Sequence, residues 1–116
     1  MGKKWIVLRL LPDQMSFCIL YIPTKNKKEA QKIAEHLLDK KLIACANMIK
    51  SDSLYLWQGK KEKGNEVILL AKTKKDLFDT VVTEVEKIHS YALPGILKIP
   101  FAANVKYEEW GEESLK

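Results

Sequence analysis

An α+β fold of βαββαβ order is predicted by three observations. Two stretches repeat apolar residues at helical spacing. They alternate with short runs of β-branched and aromatic residues. Two of those runs follow one another with only a glycine-bearing loop between them, the mark of an antiparallel hairpin. The chain has 116 residues, which suits one domain, and its 47% apolar and 30% charged content is that of a globular protein rather than a disordered one.

Ser16–Pro23 (SFCILYIP) reads as the first strand, which Pro23 is expected to end. Asn26 with Glu29 three residues on matches a capping box, in which each side chain satisfies a free N–H at a helix start. Ala30, Ile33, Ala34, Leu37 and Leu38 then share one helical face. His36 falls on another face and reads as solvated. Leu42–Trp57 contains no glycine or proline, and Leu54 and Leu56 alternate with Tyr55 and Trp57. It reads as one long strand, bent or bulged at Ser51-Asp52-Ser53.

The stretch from Gln58 to Asn65 reads as a turn, and Glu66–Lys72 (EVILLAK) as the second strand of the hairpin. Thr73, with Asp76 behind it, suits the cap of a second helix whose apolar face is Leu77, Phe78, Val81, Val85 and Ile88. His89–Gly95 is a loop. Ile96–Phe101 is the last core strand, with Pro100 suggesting an edge or an exit. Asn104–Ser114 is a short acidic helix carrying Tyr107 and Trp110. This order is the split βαβ, ferredoxin-like arrangement. Residues 15–116 make up that domain. Residues 1–14 precede Met15 and are expected to be an extension, either an extra edge strand or a loose arm.

The composition excludes several function classes. The net charge is +5, yet Arg9 is the only arginine among 20 basic residues. Lysine keeps a surface solvated, whereas bidentate contacts to phosphates and base edges favour arginine. An RNA-binding domain of this fold also needs aromatics on its third strand, and Glu66–Lys72 has none. No nucleic-acid partner is expected. An acylphosphatase-type enzyme would need an arginine cradle for phosphate, and the core has no arginine. No nucleophile triad or phosphate loop is present, so no catalytic residue and no organic cofactor are expected. No apolar run approaches the ~18 residues of a membrane helix, and Arg9 interrupts the one that follows Lys3 and Lys4. Cys18 and Cys45 lie in apolar runs without metal-motif spacing, which suits a reduced, cytoplasmic setting.

One length does not fit a compact domain. Sixteen residues from Leu42 to Trp57 would span roughly 50 Å at ~3.3 Å per residue, against a radius of gyration near 13 Å for a domain of this size. The hairpin must bend sharply or project. A projecting arm bearing Leu54, Tyr55, Leu56 and Trp57 needs another chain to cover it.

Several motifs resemble those of the CutA family. They are Ala44-Cys45-Ala46-Asn47, Tyr55-x-Trp57-x-Gly59-Lys60, Glu66-Val67 leading to Lys72-Thr73, His89-x-Tyr91-x-x-Pro94, and Tyr107-x-x-Trp110. The match runs from about Ser16 to Ser114. It implies a ferredoxin-like homotrimer of PII-like assembly, no enzymatic activity, and a role in tolerance of copper and other divalent cations. It also implies a cleft between subunits that Asn47, Tyr55, Trp57, Lys72, Tyr91 and Trp110 would line. Three positions depart from the family pattern: Ser90 replaces a proline, Ala92 a polar residue, and Gly95 a glutamate that would have placed a carboxylate in the cleft.

The candidate metal ligands are His89 and Cys45, because imidazole and thiolate both suit copper and zinc. Against this, a histidine at a helix C-terminus also answers the macrodipole, and a cysteine in an apolar strand is commonly core. Lys72, and more weakly Lys60, could neutralise an anion. The acidic residues Glu108, Glu109, Glu112 and Glu113 read as a solvated face. Two functions follow. One is a trimeric cytoplasmic protein that binds divalent cations. The other is a PII-like scaffold holding a small anionic ligand or a partner protein in the cleft.

Overall fold

The computed structural model describes residues 11–116. Strands β1 (Phe17–Thr24), β2 (Cys45–Trp57), β3 (Lys60–Lys74) and β4 (Leu97–Phe101) form one sheet in the order β2-β3-β1-β4, antiparallel throughout. Helices α1 (Lys27–Asp39) and α2 (Phe78–Ile88) supply the crossovers, and α3 (Val105–Ser114) closes the described chain. This is the expected ferredoxin-like arrangement.

The period-2 alternation of β1 and β3 decides where the core sits. Ile19, Tyr21 and Leu70 stay partly exposed, whereas Cys18, Leu20 and Ile22 of β1 and Val67, Leu69 and Ala71 of β3 are buried on one face. These residues meet Ala30, Ile33, Ala34 and Leu37 of α1 and Val81 and Val85 of α2 in one buried cluster. Each fully buried aliphatic side chain there contributes about 1.5–3 kcal/mol. The opposite face of the sheet carries Ile19, Tyr21, Asn47, Ile49 and Leu70, none of them fully buried. At one end of that face α3 packs so closely that a Cβ on Gly111 would come within 3.0 Å of the Phe17 ring.

The hairpin projects rather than bends. Its pairing runs from Cys45↔Lys72 to Trp57↔Lys60 without a slipped residue, so the expected bulge at Ser51–Ser53 does not form. Strand β1 pairs with β3 only from Val67 onward. Among the described residues, Ser51–Trp57 and Lys60–Glu66 therefore stand out as a two-stranded arm. The molecule measures 55 × 32 × 22 Å, and its radius of gyration is 16.3 Å, above the ~13 Å of a compact domain of this length.

Other expectations are corrected. The turn is only Gln58-Gly59, both with positive φ (51° and 79°), the backbone of a tight type I′ hairpin whose twist matches its strands. Lys60–Asn65 is strand, because lysine is at no disadvantage on a ribbon that water reaches from both sides. Thr73 caps no helix. It is buried in β3, where its hydroxyl donates to the Leu42 carbonyl at 2.7 Å, and a short 3-10 turn, Lys75–Leu77, leads into α2. Strand β1 passes through Pro23 to Thr24. The Pro23 carbonyl points away from β3, so its ring nitrogen does too, and β4 pairs no further than Tyr21. No ladder bond is lost.

β4 is an exposed edge strand rather than a core strand, as Pro100 suggested. Leu38 lies off the buried face of α1. His36 is not merely solvated, since its Nε2 lies 2.9 Å from Glu84 of α2. Of the expected extension, residues 1–10 lie outside the described residues. Pro12–Gln14 form a 3-10 turn, and the Asp13 carbonyl accepts from Lys75 Nζ at 2.7 Å.

Candidate functional site at the foot of the arm

The functional geometry is organised by the loop from His89 to Gly95, which carries the chain from α2 past the end of β1 to β4. Glu29 anchors it. The Asn26 side chain accepts from Glu29 N at 2.9 Å, capping α1 as expected. The reciprocal bond differs from a capping box, because Glu29 Oε1 accepts from Lys25 N at 2.9 Å, one residue before the cap. This leaves Oε2 free to accept the Ser90 N–H at 2.7 Å. Burial pushes the Glu29 carboxyl up, but the N–H of Lys25, the backbone and side chain of Ser90, and the nearby His89 ring outweigh it and hold the group below its usual range.

His89 has a fully buried side chain with both ring nitrogens engaged. Nε2 donates to the Pro23 carbonyl at 2.8 Å, and Nδ1 accepts from Tyr91 N at 3.1 Å. These partners assign the Nε2–H tautomer. Tyr91 then lies tilted against the imidazole, 4.7 Å between ring centres, and its hydroxyl donates to Glu66 Oε2 at 2.6 Å. Burial and this bond raise the Tyr91 phenol far above its ordinary value, with the charges of Glu66, Glu29 and Tyr55 adding to the effect. Tyr91 thus stays a neutral donor.

Between this loop and the arm lies a cavity of about 580 Å³. Strand alternation sends Tyr55 and Trp57 of β2, and Glu62 and Glu66 of β3, to the same face of the ribbon, with Tyr55 directly across from Glu62. Pro23, Leu54, Ala92, Leu93 and Gly95 complete the wall. Gly95 indeed adds no carboxylate there and leaves open space where a side chain would stand.

The predicted site residues separate into groups within one chain. Tyr55, Trp57 and Tyr91 meet in this cavity. Lys72 and Trp110 lie at the other end of the sheet. Lys72 Nζ donates to the Tyr107 hydroxyl at 3.2 Å, and the Trp110 ring packs on Tyr107 at 5.4 Å. Asn47 sits between the groups, opposite Leu70. Lys60 lies near the arm tip opposite Trp57. Cys45 pairs opposite Lys72, and Pro23, which holds His89, pairs opposite Ile68. Four residues of strand, roughly 13 Å, keep the two candidate ligands apart. Cys18 is buried, and burial pushes its thiol up despite the charge of Lys98. Among the described residues no three His, Cys, Asp or Glu side chains converge as a metal cluster.

Sequence reasoning missed Glu29, Glu62 and Glu66 as members of the site. Glu29 reads as a helix cap, and Glu62 sits in a lysine-rich stretch that composition marks as a turn. The available signal was the spacing: Tyr55, Trp57, Glu62 and Glu66 share one face as soon as Gln58-Gly59 is taken as a two-residue turn.

Fold and site together define a ferredoxin-like domain with a projecting arm whose foot is lined by aromatic rings and carboxylates. The family model for CutA1 divalent ion tolerance protein matches residues 18–114. The chain is 37% identical to the divalent-cation tolerance protein CutA of Archaeoglobus fulgidus over 84% of its own length and 96% of that protein's. It is 33% identical to the protein of the same name from Pyrococcus horikoshii, covering 84% of itself and 97% of that relative. It spans only 56% of the chloroplastic CutA 1 of Oryza sativa, at 31% identity. Among solved structures, the periplasmic divalent cation tolerance protein CutA from Archaeoglobus fulgidus superposes with a TM-score of 0.84 at 35% identity, covering 86% of this chain and 99% of that one. This chain belongs to the CutA family of divalent-ion tolerance proteins.

Proposed function

We propose that this protein is a cytoplasmic homotrimer that binds divalent cations, copper among them, in the cavity at the foot of the arm, and so contributes to the response to metal ions. The observation that carries this reading is the pair of carboxylates, Glu62 and Glu66, facing one cavity from one strand. Glu66 uses one oxygen on Tyr91 and keeps the other for a ligand. Two carboxylates are too few to close a coordination sphere, so water or a neighbouring subunit supplies the rest. Oxygen sites of this kind bind copper(II) more tightly than the other first-row divalent ions, which makes copper the natural probe.

His89 takes a positioning role in this reading. Both its nitrogens hold the loop that aims Tyr91 at Glu66. Trimer formation is supported by the arm, where Leu54 and Leu56 crown one face and Tyr55 and Trp57 the other. The two free cysteines support a reducing compartment. The PII-like alternative is less well supported at this cavity. Glu62 and Glu66 repel an anion, and Lys72 already serves Tyr107. Lys25, Lys27 and Lys50 line an adjoining groove of about 560 Å³, but Asp52 and Glu66 line it too and offset their charge.

The test is calorimetric titration of the assembled protein with copper(II). A defined number of ions per subunit should bind, be lost in the Glu62→Gln/Glu66→Gln double variant, and be weakened in His89→Ala. Copper binding indifferent to the two carboxylates would overturn the site. Sedimentation that finds a monomer would overturn the assembly.

A further inference from the structure

The cavity at the foot of the arm is larger and more aromatic than a metal ion needs. Its volume is about 580 Å³, whereas a water-sized guest occupies ~30 Å³. Pockets of roughly 300–1,000 Å³ are those that hold small organic ligands. Besides the two carboxylates, the wall consists of Tyr55, Trp57 and Tyr91 with the aliphatic surfaces of Leu54 and Leu93. A hard, hydrated cation gains nothing from such surfaces. An ammonium ion carrying methyl groups gains from all of them, because its charge is diffuse, its hydration weak and its surface apolar.

We infer that this cavity is a receptor for an organic ammonium ion, with the faces of Tyr55, Trp57 and Tyr91 holding the cation and Glu62 and Glu66 balancing its charge. Aromatic faces attract such cations through the ring quadrupole, with tryptophan the best of them. The hydrogen bond from the Tyr91 hydroxyl to Glu66 fixes both the ring and the carboxylate. The imidazole of His89 supports that ring from behind, at 4.7 Å. The Tyr55 hydroxyl reaches across the ribbon to Gly64, 4.0 Å from where a Cβ would stand, an ordinary contact distance. Gly95 keeps the rim open for a guest larger than an atom. The inference rests on reading this cavity as a cation site, but not on the cation being a metal.

The probe is tetramethylammonium chloride, titrated into the assembled full-length protein by calorimetry and tryptophan fluorescence at constant ionic strength. Parallel titrations use copper(II) chloride and the neutral near-isostere neopentyl alcohol. Tetramethylammonium should saturate, and its affinity should fall at least about tenfold in Trp57→Leu and in Glu66→Gln. Trp57→Phe, which keeps an aromatic face at the same place, should fall between Trp57→Leu and the parent. The neutral isostere should bind far more weakly. Copper binding should respond to Glu66→Gln and not to Trp57→Leu. Failure of tetramethylammonium to saturate, or saturation indifferent to Trp57, would overturn the inference even where copper binds. Saturation by tetramethylammonium without copper binding would uphold it and remove the metal from the proposed function.

Discussion

The two halves of the β2–β3 hairpin share one unbroken register but differ in what covers it. In the inner half, Val67, Leu69 and Ala71 lie beneath two helices with β1 alongside, and all are buried. In the outer half no further strand flanks the ribbon among the described residues, and Leu54 and Leu56 are 77% and 73% exposed. The backbone pairing is the same in both. A two-stranded ribbon alone is marginally stable in water. The inner half is therefore held by its own chain, whereas the outer half carries apolar side chains that the described residues leave uncovered. Hydrogen bonding and turn chemistry shape the ribbon, while burial decides whether it is a wall or an arm.

The strongest way to break this comparison is to make one kind of deletion in each half. Leu69→Ala removes a fully buried side chain from the inner half and should destabilise the fold by about 2–5 kcal/mol, read from urea unfolding. A small loss would mean that the sheet face is less tightly packed than its burial implies. The outer half should respond in a different observable. Replacing Leu54 and Leu56 together with lysine should leave far-UV circular dichroism unchanged, because neither side chain is buried in the chain itself. Sedimentation velocity should then show the assembly shifted toward single subunits, and the melting temperature should lose its dependence on protein concentration. An assembly indifferent to both lysines would place the subunit contacts elsewhere.

The same contrast explains what was legible in the sequence. Where a segment is covered by its own chain, the apolar period announces it. Ala30, Ile33, Ala34 and Leu37 define α1, Val81 and Val85 define α2, and the order of elements gives the fold. Where a segment faces water or another chain, composition misleads. Lys60–Asn65 looks like a loop and is strand, because only the pairing with Asp52–Trp57 shapes it. Thr73 looks like a helix cap, yet β3 runs past it to Lys74, paired there with β1. The site was half legible. The aromatic residues stand out by type. The carboxylates that join them do not, since Glu29 also serves a helix start and Glu62 and Glu66 fall on one face only after the turn is known. His36 looks solvated in the sequence for a related reason, because its partner Glu84 lies 48 residues away on the other helix.

That partnership gives the smallest effect and the finest test, because it lies in the helical layer and leaves the arm untouched. Glu84 accepts from His36 at 2.9 Å and from Lys87 at 3.0 Å, with Lys40 at 3.5 Å. The hydrogen bonds of His36 and Lys87 lower its carboxyl from 4.5 to about 2, against a small opposing push from burial and with help from the charge of Lys40. A carboxylate whose folded value is depressed stabilises the fold above its unfolded value and loses that contribution as the pH falls toward the folded one. Stability from Glu84 is thus complete above about 4.5 and fades toward about 2. Glu84→Gln should lower the urea midpoint slightly near neutrality. The gap to the parent should then close as the pH falls through that window. Glu29 is depressed in both proteins, so its share of the acid slope cancels in the difference. A gap that stays constant with pH would mean that the ion pair does not couple the two helices. A change in assembly would mean that the helical layer and the arm are not the independent halves that the hairpin's geometry makes them.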